Sequence, residues 1–389
     1  MRRDWFMAAL LGVSVLAMAQ QQQPKVINAR FHTEPAGARL SATVDRFQHS
    51  GGPLWLGYEV GTVPGTRFFT CSSETGSPME DRCCGVYRLE GSNGGYRYSD
   101  AHQATQASVD VLVRIDRGAV DKVRFVDAGC RIDAGGFPFT WLTDVSEDDS
   151  VAWLSSLVSA DNRQLTDEAL AAIATHGTVK ATISLEGFSS SANPLWLREK
   201  ATFWLGAGRE HDGYEALRKL ESDPDPEFRK KLSFALFVTH DPAAVDDLIQ
   251  MAKSDKDTSV REQAIFWVGQ KAGTKAVAVL KDTAQSDPEV AVKKKAVFAL
   301  SQLPKDEAVP ELLHVAQTNS DPAVRKEAIF WLGQTHDPRA LAFLSRSSNG
   351  RSVAAQLRSA MGSRGVVNSV FEGVTAEVSS RSDRMLSAA

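Results

Sequence analysis

Apolar positions in the C-terminal half of this chain follow two periods at once. Within short segments they fall three and four residues apart, which puts them on one stripe of a helix. The segments themselves recur as LREKATFWLG (197–206), FRKKLSFALF (228–237), VREQAIFWVG (260–269), VKKKAVFALS (292–301) and VRKEAIFWLG (324–333). Their central aromatics, Phe203, Phe234, Phe266, Phe298 and Phe330, are spaced by 31, 32, 32 and 32 residues. A fixed period of this length predicts helix pairs stacked in a solenoid, with the phenylalanines in the core. The first helix of each pair is read in GYEALRKLES (213–222), PAAVDDLIQMAKS (242–254), KAVAVLKDTAQS (275–286), EAVPELLHVAQT (307–318) and PRALAFLSRS (338–347).

The connections carry Asp-Pro at Asp223, Asp225, Asp241, Asp287, Asp321 and Asp337. Aspartate accepts from the free N–H groups of a first helical turn, and proline at the first helical position needs no donor. Each Asp-Pro is therefore expected to start a helix. Upstream, VAWLSSLVSA (151–160) and TDEALAAIATHG (166–177) read as helices, with Asp148 or Asp149 and Thr166 as expected caps. VKATISLEGF (179–188) is rich in β-branched residues, but its place in the array favours helix.

The N-terminal part has another rhythm. VINARFH (26–32), ARLSATVDRF (38–47), PLWLGYEV (53–60), TRFFTC (66–71), GVYRLE (85–90), ASVDVLVRID (107–116) and DKVRFVDAG (121–129) are short runs of β-branched and aromatic residues between Gly and Pro. They predict a β-rich sandwich or small barrel. The fold class expected is thus mixed: a β-rich module over 26–146, then an all-α solenoid over 147–347. A capping helix at 352–362 and a tail complete residues 348–389.

The pattern D-P-x-V-R-x-x-A-x-x-x-L-G, followed by D-P-R-A-L, is met nearly throughout by DPAVRKEAIFWLGQTHDPRAL (321–341). It resembles HEAT-like repeats, and the short period is similar to that of the phycobilisome or bilin-lyase subfamily. The resemblance covers about 148–347 and implies the fold far more than a role. Residues 26–145 resemble no family.

Residues 1–19 read as a signal peptide. Arg2 and Arg3 precede the apolar run Phe6 to Met18, and Ala17-Met18-Ala19 suits cleavage before the polar linker 20–25. A periplasmic or secreted protein is expected, with no stable membrane span after cleavage. Cleavage removes two basic residues and one acid, moving the net charge from −4 to −5. That balance, with export, argues against nucleic acid as a partner. Cys71, Cys83, Cys84 and Cys130 in an exported chain suggest two disulfides whose pairing the sequence leaves open. Zinc is the rival use, but the spacing lacks the usual C-x₂₋₄-C knuckles.

Three sets of residues are candidates for function. The first is a column of cations five residues before each central phenylalanine: Arg198, Arg229, Arg261, Lys293 and Arg325. It suits either an acidic partner or a structural ladder between repeats. The second is Trp204, Trp267 and Trp331, alternating with Ala235 and Ala299. This column suits partner anchors or interdigitated packing. The third is His176, His240 and His336, with His211 nearby. They lie repeats apart and none is followed by Glu, unlike the paired His-Glu motifs of HEAT-repeat di-iron hydroxylases, so no metal is expected. In the β module, Trp55, Tyr58, Phe68, Phe69, Tyr87, Tyr96 and Tyr98 could build a glycan face or fill a core. No catalytic motif and no cofactor signature emerges. The expected role is a non-enzymatic interaction scaffold binding a protein or peptide partner. The alternatives are a bilin-lyase-like enzyme handling a tetrapyrrole, and envelope or carbohydrate binding by the β module.

Overall fold

Asn28 sets the entry to the fold. Its backbone is left-handed, with φ of 51°, so the single strand expected at 26–32 breaks in two. β1 (Lys25–Ile27) and β2 (Arg30–Pro35) then join different sheets. The computed structural model describes residues 24–63, 86–90, 108–271 and 273–347. The signal segment 1–19, the run 66–71, Cys71, Cys83, Cys84, Phe68, Phe69, Tyr96, Tyr98 and the C-terminal 348–389 fall outside these.

The remaining strands are β3 (Leu54–Gly61), β4 (Val86–Arg88), β5 (Ser108–Asp116), β6 (Ala119–Asp127), β7 (Arg131–Asp133) and β8 (Pro138–Thr143). The larger sheet has the order β2-β8-β3-β5-β6 and the smaller β1-β7-β4. β5 and β6 form a hairpin closed by Arg117 and Gly118, with φ of 51° and 77°. Two positive values match the turn to the right-handed twist of the strands.

The sheets face each other across Trp55, Leu112, Phe139 and Trp141 on one side and Leu89, Ile132 and Ala134 on the other. To this extent the module is a β sandwich. Its sheets are not purely antiparallel: β8 pairs in parallel with both β2 and β3, and the small sheet is parallel throughout. A parallel sheet needs both faces covered. Helices cover the second face: Leu56, Tyr58, Val111, Val113 and Phe125 pack towards α1 (Leu40–Gln48), α2 (Glu147–Ser156) and α3 (Arg163–Thr175). The expected strand at 38–47 is α1. Its apolar set, Leu40, Val44 and Phe47 with Thr43, has steps of three and four, and this burial outweighs the β-branched composition. The caps of α2 and α3 also differ from expectation, being Ser146 and Asn162.

The sheet and the helices share one seam. The Gly177 N–H donates to the Gly61 carbonyl at 2.8 Å, and the Val123 N–H donates to Glu168 at 2.8 Å. Arg124 meets the same carboxylate at 3.0 Å. Behind them Ser150 Oγ lies 2.8 Å from both Tyr58 Oη and His176 Nε2. Both ring nitrogens of His176 are engaged, the second at 2.7 Å from the Ala172 carbonyl.

From here helices alternate. The first helices are α4 (Val179–Ser189), α6 (Glu210–Arg218), α8 (Ala244–Ser254), α10 (Thr274–Ser286), α12 (Lys305–Thr318) and α14 (Pro338–Ser347). The second helices are α5 (Leu195–Gly208), α7 (Pro226–Val238), α9 (Thr258–Lys271), α11 (Val290–Ser301) and α13 (Pro322–Gln334). Successive second helices pack closely on one another, whereas successive first helices touch much less. A stack drawn together on one side curves towards it, so the second helices form the inner face. Ala201, Leu232, Ala264, Ala296 and Ala328 recur at one position of these helices and are fully buried. A single hydrophobic core runs from the sheet to Ala340.

Burial pulls the His176 imidazole from 6.5 down to about 4. The unfolded ring binds a proton near pH 6.5, while the folded ring resists until about pH 4. In that window the unfolded chain holds more protons, so stability is complete above it and is lost as pH falls through it. The shift corresponds to on the order of 3 kcal/mol. Urea midpoints measured across this range should therefore fall more steeply for the wild type than for His176→Gln. Equal slopes would show that the seam does not hold a neutral histidine.

Candidate functional site

The cation column lies where the second helices begin, and its first three charges are spent inside the array. Arg198, Arg229 and Arg261 are only 4%, 3% and 7% exposed. Arg229 holds Asp255 with two hydrogen bonds of 2.7 and 2.8 Å and also donates to the Asp223 carbonyl at 2.7 Å. Arg261 repeats this on Asp287, at 3.1 and 3.3 Å, and on the Asp255 carbonyl at 2.9 Å. Arg198 meets Asp223 and also lies 3.6 Å over the Phe228 ring. Each arginine thus ties its own entry loop to that of the next repeat. Burial alone would raise the Asp255 carboxyl, but the Arg229 guanidinium and a backbone N–H outweigh it and hold it below the usual range. These three residues are not a partner surface, because water and ligands reach almost none of them.

The acceptors correct the reading of the Asp-Pro pairs. Asp225 and Asp321 do cap α7 and α13 with proline next to them. Asp223 and Asp287 are ladder acceptors instead, two residues ahead of the helix-entry position, in register with Asp255 and Asn319. Where the acceptor becomes the neutral Asn319, the facing cation is Lys293, half-buried and without an ion pair among the described residues. Arg325 keeps only the loop contacts, at 2.7 and 3.0 Å to the Asn319 and Ser320 carbonyls.

Trp204 and Trp267 are buried, and Trp331 is half-buried. Gly206 and Gly269 mark where neighbouring second helices come closest. A Cβ on Gly206 would sit 2.5 Å from the Ala235 carbonyl oxygen, and one on Gly269 would sit 2.9 Å from the Ala299 Cβ. The large-small alternation is interdigitated packing. Phe203 and Phe266 are buried as expected, but Phe234, Phe298 and Phe330 are only half-buried and border the inner face.

The histidines do not converge. His176 is sealed in the seam, so its contact with Ser150 cannot meet a substrate. His211 is exposed and its charged form is favoured by a 2.7 Å contact with Asp241. His240 lies 3.6 Å from Glu210, and His336 occupies a left-handed turn before α14. Among the described residues, no group of three or more His, Cys, Asp or Glu could hold a metal. Trp55 and Tyr58 are fully buried and Tyr87 is half-buried, so the first two cannot offer a glycan face. Cys130 is disulfide-bonded.

The inner face does contain a hollow of 310 Å³ between α5, α7 and α9. Phe203, Phe234 and Trp267 line it together with Glu199, Glu227, Lys230, Lys231, Ala235 and Gln263. Phe234 stacks on Phe203 at 5.9 Å and meets Trp267 at 5.1 Å. Lys231 pairs with Glu199 at 3.1 Å and Lys230 with Glu227 at 3.3 Å. Sequence reasoning missed this hollow. The signal was the column three residues before each phenylalanine: Lys200, Lys231, Gln263, Lys295 and Glu327. At Lys295 a cation lies over the Phe266 and Phe298 rings, 5.3 and 5.6 Å away. Gln263 puts no charge there.

The model for HEAT repeats matches residues 214–291 and 277–362. The helical part is a HEAT-like repeat array. Among solved structures, the chain is similar to the complex of CpcE and CpcF of phycocyanin lyase from Nostoc sp., at 22% identity and a TM-score of 0.33 over 40% of this chain and 99% of that one. It is also similar to human deoxyhypusine hydroxylase in complex with glycerol, at 18% identity and a TM-score of 0.30 over 56% and 96%. A third similarity, to an engineered protein, has 22% identity and a TM-score of 0.28 over 46% and 93%. Scores of this size say nothing about function. A comparison with curated proteins gives no match. No helix among the described residues is long and apolar enough to cross a membrane.

The ladder of the HEAT-like array predicts an asymmetry between its rungs. Arg229→Met strands a buried Asp255 and should cost about 3 kcal/mol or more. Lys293→Met, at the neutral rung, should stay within about 0.5 kcal/mol. Urea denaturation of the two variants checks this, and equal losses would remove the ladder's structural role.

Proposed function

We propose that this chain is an exported, non-catalytic scaffold whose inner HEAT-like face holds a protein or peptide partner. The observation that carries the reading is the aromatic-floored hollow on that face, framed by ion pairs and held on three rigid helices. Stacked repeats present extended concave surfaces of this kind. Aromatic side chains at the centre of a polar rim are the usual anchors of an interface. The cation ladder, a rival source of affinity, is consumed by Asp223, Asp255 and Asp287.

Because one core joins the sheet to the repeats, the intact chain is the proper bait. A pull-down from envelope extract should retain a partner on the wild type and lose it on Phe234→Ser with helical content preserved. A partner held equally by both would place recognition away from the inner face. No partner on either would remove the scaffold reading.

A further inference from the structure

We infer that the outer edge of β2 (Arg30–Pro35) is a self-association surface, on which a second copy of this chain adds its own β2 antiparallel about a two-fold axis at His32. The inference goes beyond the inner-face reading and is independent of it.

The first observation is the direction of the backbone. Among the described residues, β2 ends the five-stranded sheet and pairs on one side only, in parallel with β8. The Arg30 N–H donates to the Phe137 carbonyl at 3.4 Å, and the Ala36 N–H donates to the Thr143 carbonyl at 2.8 Å. In a parallel ladder the N–H and C=O of one residue point to the same side, and the side alternates along the strand. The even-numbered residues of β2 therefore face β8, and the backbone groups of Phe31 and Thr33 face outward. Pro35 falls at the next outward position, where its missing N–H costs the ladder nothing. Arg30, Phe31 and His32 are exposed, Phe31 by 40%. Such an edge is a template for another strand.

The second observation is that the strand complements itself in charge. It reads Arg30, Phe31, His32, Thr33, Glu34, Pro35. With the axis at His32, Phe31 exchanges both backbone hydrogen bonds with Thr33 of the second copy, and the symmetry repeats the exchange. Arg30 then stands directly opposite Glu34 of the second copy, on one face and at both ends. Opposite charges across a ladder stabilise it. Glu34 already meets Arg46 through Oε1, while its Oε2 lies 3.7 Å from His32, and a carboxylate accepts from more than one cation. On the other face Phe31, stacked on Phe139 at 5.9 Å, comes to lie beside Thr33 of the second copy. Other axes fit less well. One at Phe31 would set Arg30 against His32, and one at Thr33 would call on the N–H that Pro35 lacks. A contact this short belongs with weak, concentration-dependent dimers, which bind the same patch on both copies.

The test is sedimentation velocity of the intact chain over a concentration series, with circular dichroism to check the fold. The wild type should pass from monomer to dimer as concentration rises. Arg30→Glu and Glu34→Arg each set like charges opposite one another at both ends, and each should raise the dimer dissociation constant by about tenfold. An equal mixture of the two variants restores opposite charges at both ends and should dimerise as the wild type does. Thr33→Pro removes an outward N–H without touching the ladder to β8, and it too should weaken the dimer by about tenfold. A dimer unchanged by Thr33→Pro, or a mixture that stays as weak as its components, overturns the inference. So does a wild type that remains monomeric throughout, which would leave the edge to a strand of another protein.

Discussion

No hairpin in this array can bury its own apolar stripe, and the rest of the molecule follows from that constraint. Each second helix shows apolar residues nearly all round, so it must be covered by its own first helix and by the second helices on either side. Ala201, Ala264, Ala296 and Ala328 let those inner helices approach, and Gly206 and Gly269 leave out a side chain where the neighbouring helix comes closest. The first pair has no preceding repeat to cover it. The five-stranded sheet takes that place, with Val111, Val113 and Phe125 packed into the same core as Leu170 and Ile173 of α3. The β module is therefore the cap of the solenoid as well as its neighbour. The seam at Ser150, Glu168 and His176 is the repeat interface in another form, with side-chain hydrogen bonds replacing interlocked helices.

Apolar stacking fixes that repeats pack but leaves their axial register loose. The Arg–Asp ladder supplies register. A buried ion pair is weak evidence for net stability, since desolvation opposes the attraction. Its geometry, however, admits one alignment only. The two-pronged contacts of Arg229 and Arg261 demand that Asp255 and Asp287 stand in place. Each arginine also holds a carbonyl of its own loop, so a shift of one repeat would break bonds in two. Lys293 facing Asn319 shows the cost of ordering charge being dropped at one rung. Asn319 still receives the Asp321 N–H at 2.9 Å and donates to the Ala284 carbonyl at 2.7 Å, so the loop keeps its shape with no buried charge to neutralise.

The periodic part of this fold was legible because every repeat obeys the same local rules. The 31- and 32-residue spacing gave the helix pairs, and even β-branched Val179–Ser189 was placed as a helix by its position. Aperiodic features were not legible. Thr43 and Val44 suggested a strand, while the steps from Leu40 to Phe47 dictated α1. The parallel pairing of β8 with β2 and β3 joins segments about a hundred and about eighty residues apart, and no local signal encodes a partner so distant. Asp223 and Asp287 look like the capping aspartates Asp225 and Asp321 in sequence, since both kinds precede proline. Only the loop path shows that one set points to the helix and the other to an arginine of the previous repeat.

The hollow was hidden for a related reason: repetition draws the eye to what recurs, and a site is made by what does not. The Phe-Trp column is regular, yet only Trp267 leaves an indole N–H buried without an acceptor, at a cost of about 1–3 kcal/mol. A glutamate at Gln263 would remove it, as Glu327 does for Trp331, and would also add charge above the aromatic floor. Hydrogen bonding alone therefore favours the arrangement around Trp331. The same comparison separates the two tryptophans that sequence placed together. Trp331 finishes its hydrogen bonding within its own helix, and Trp267 leaves its donor buried without a partner.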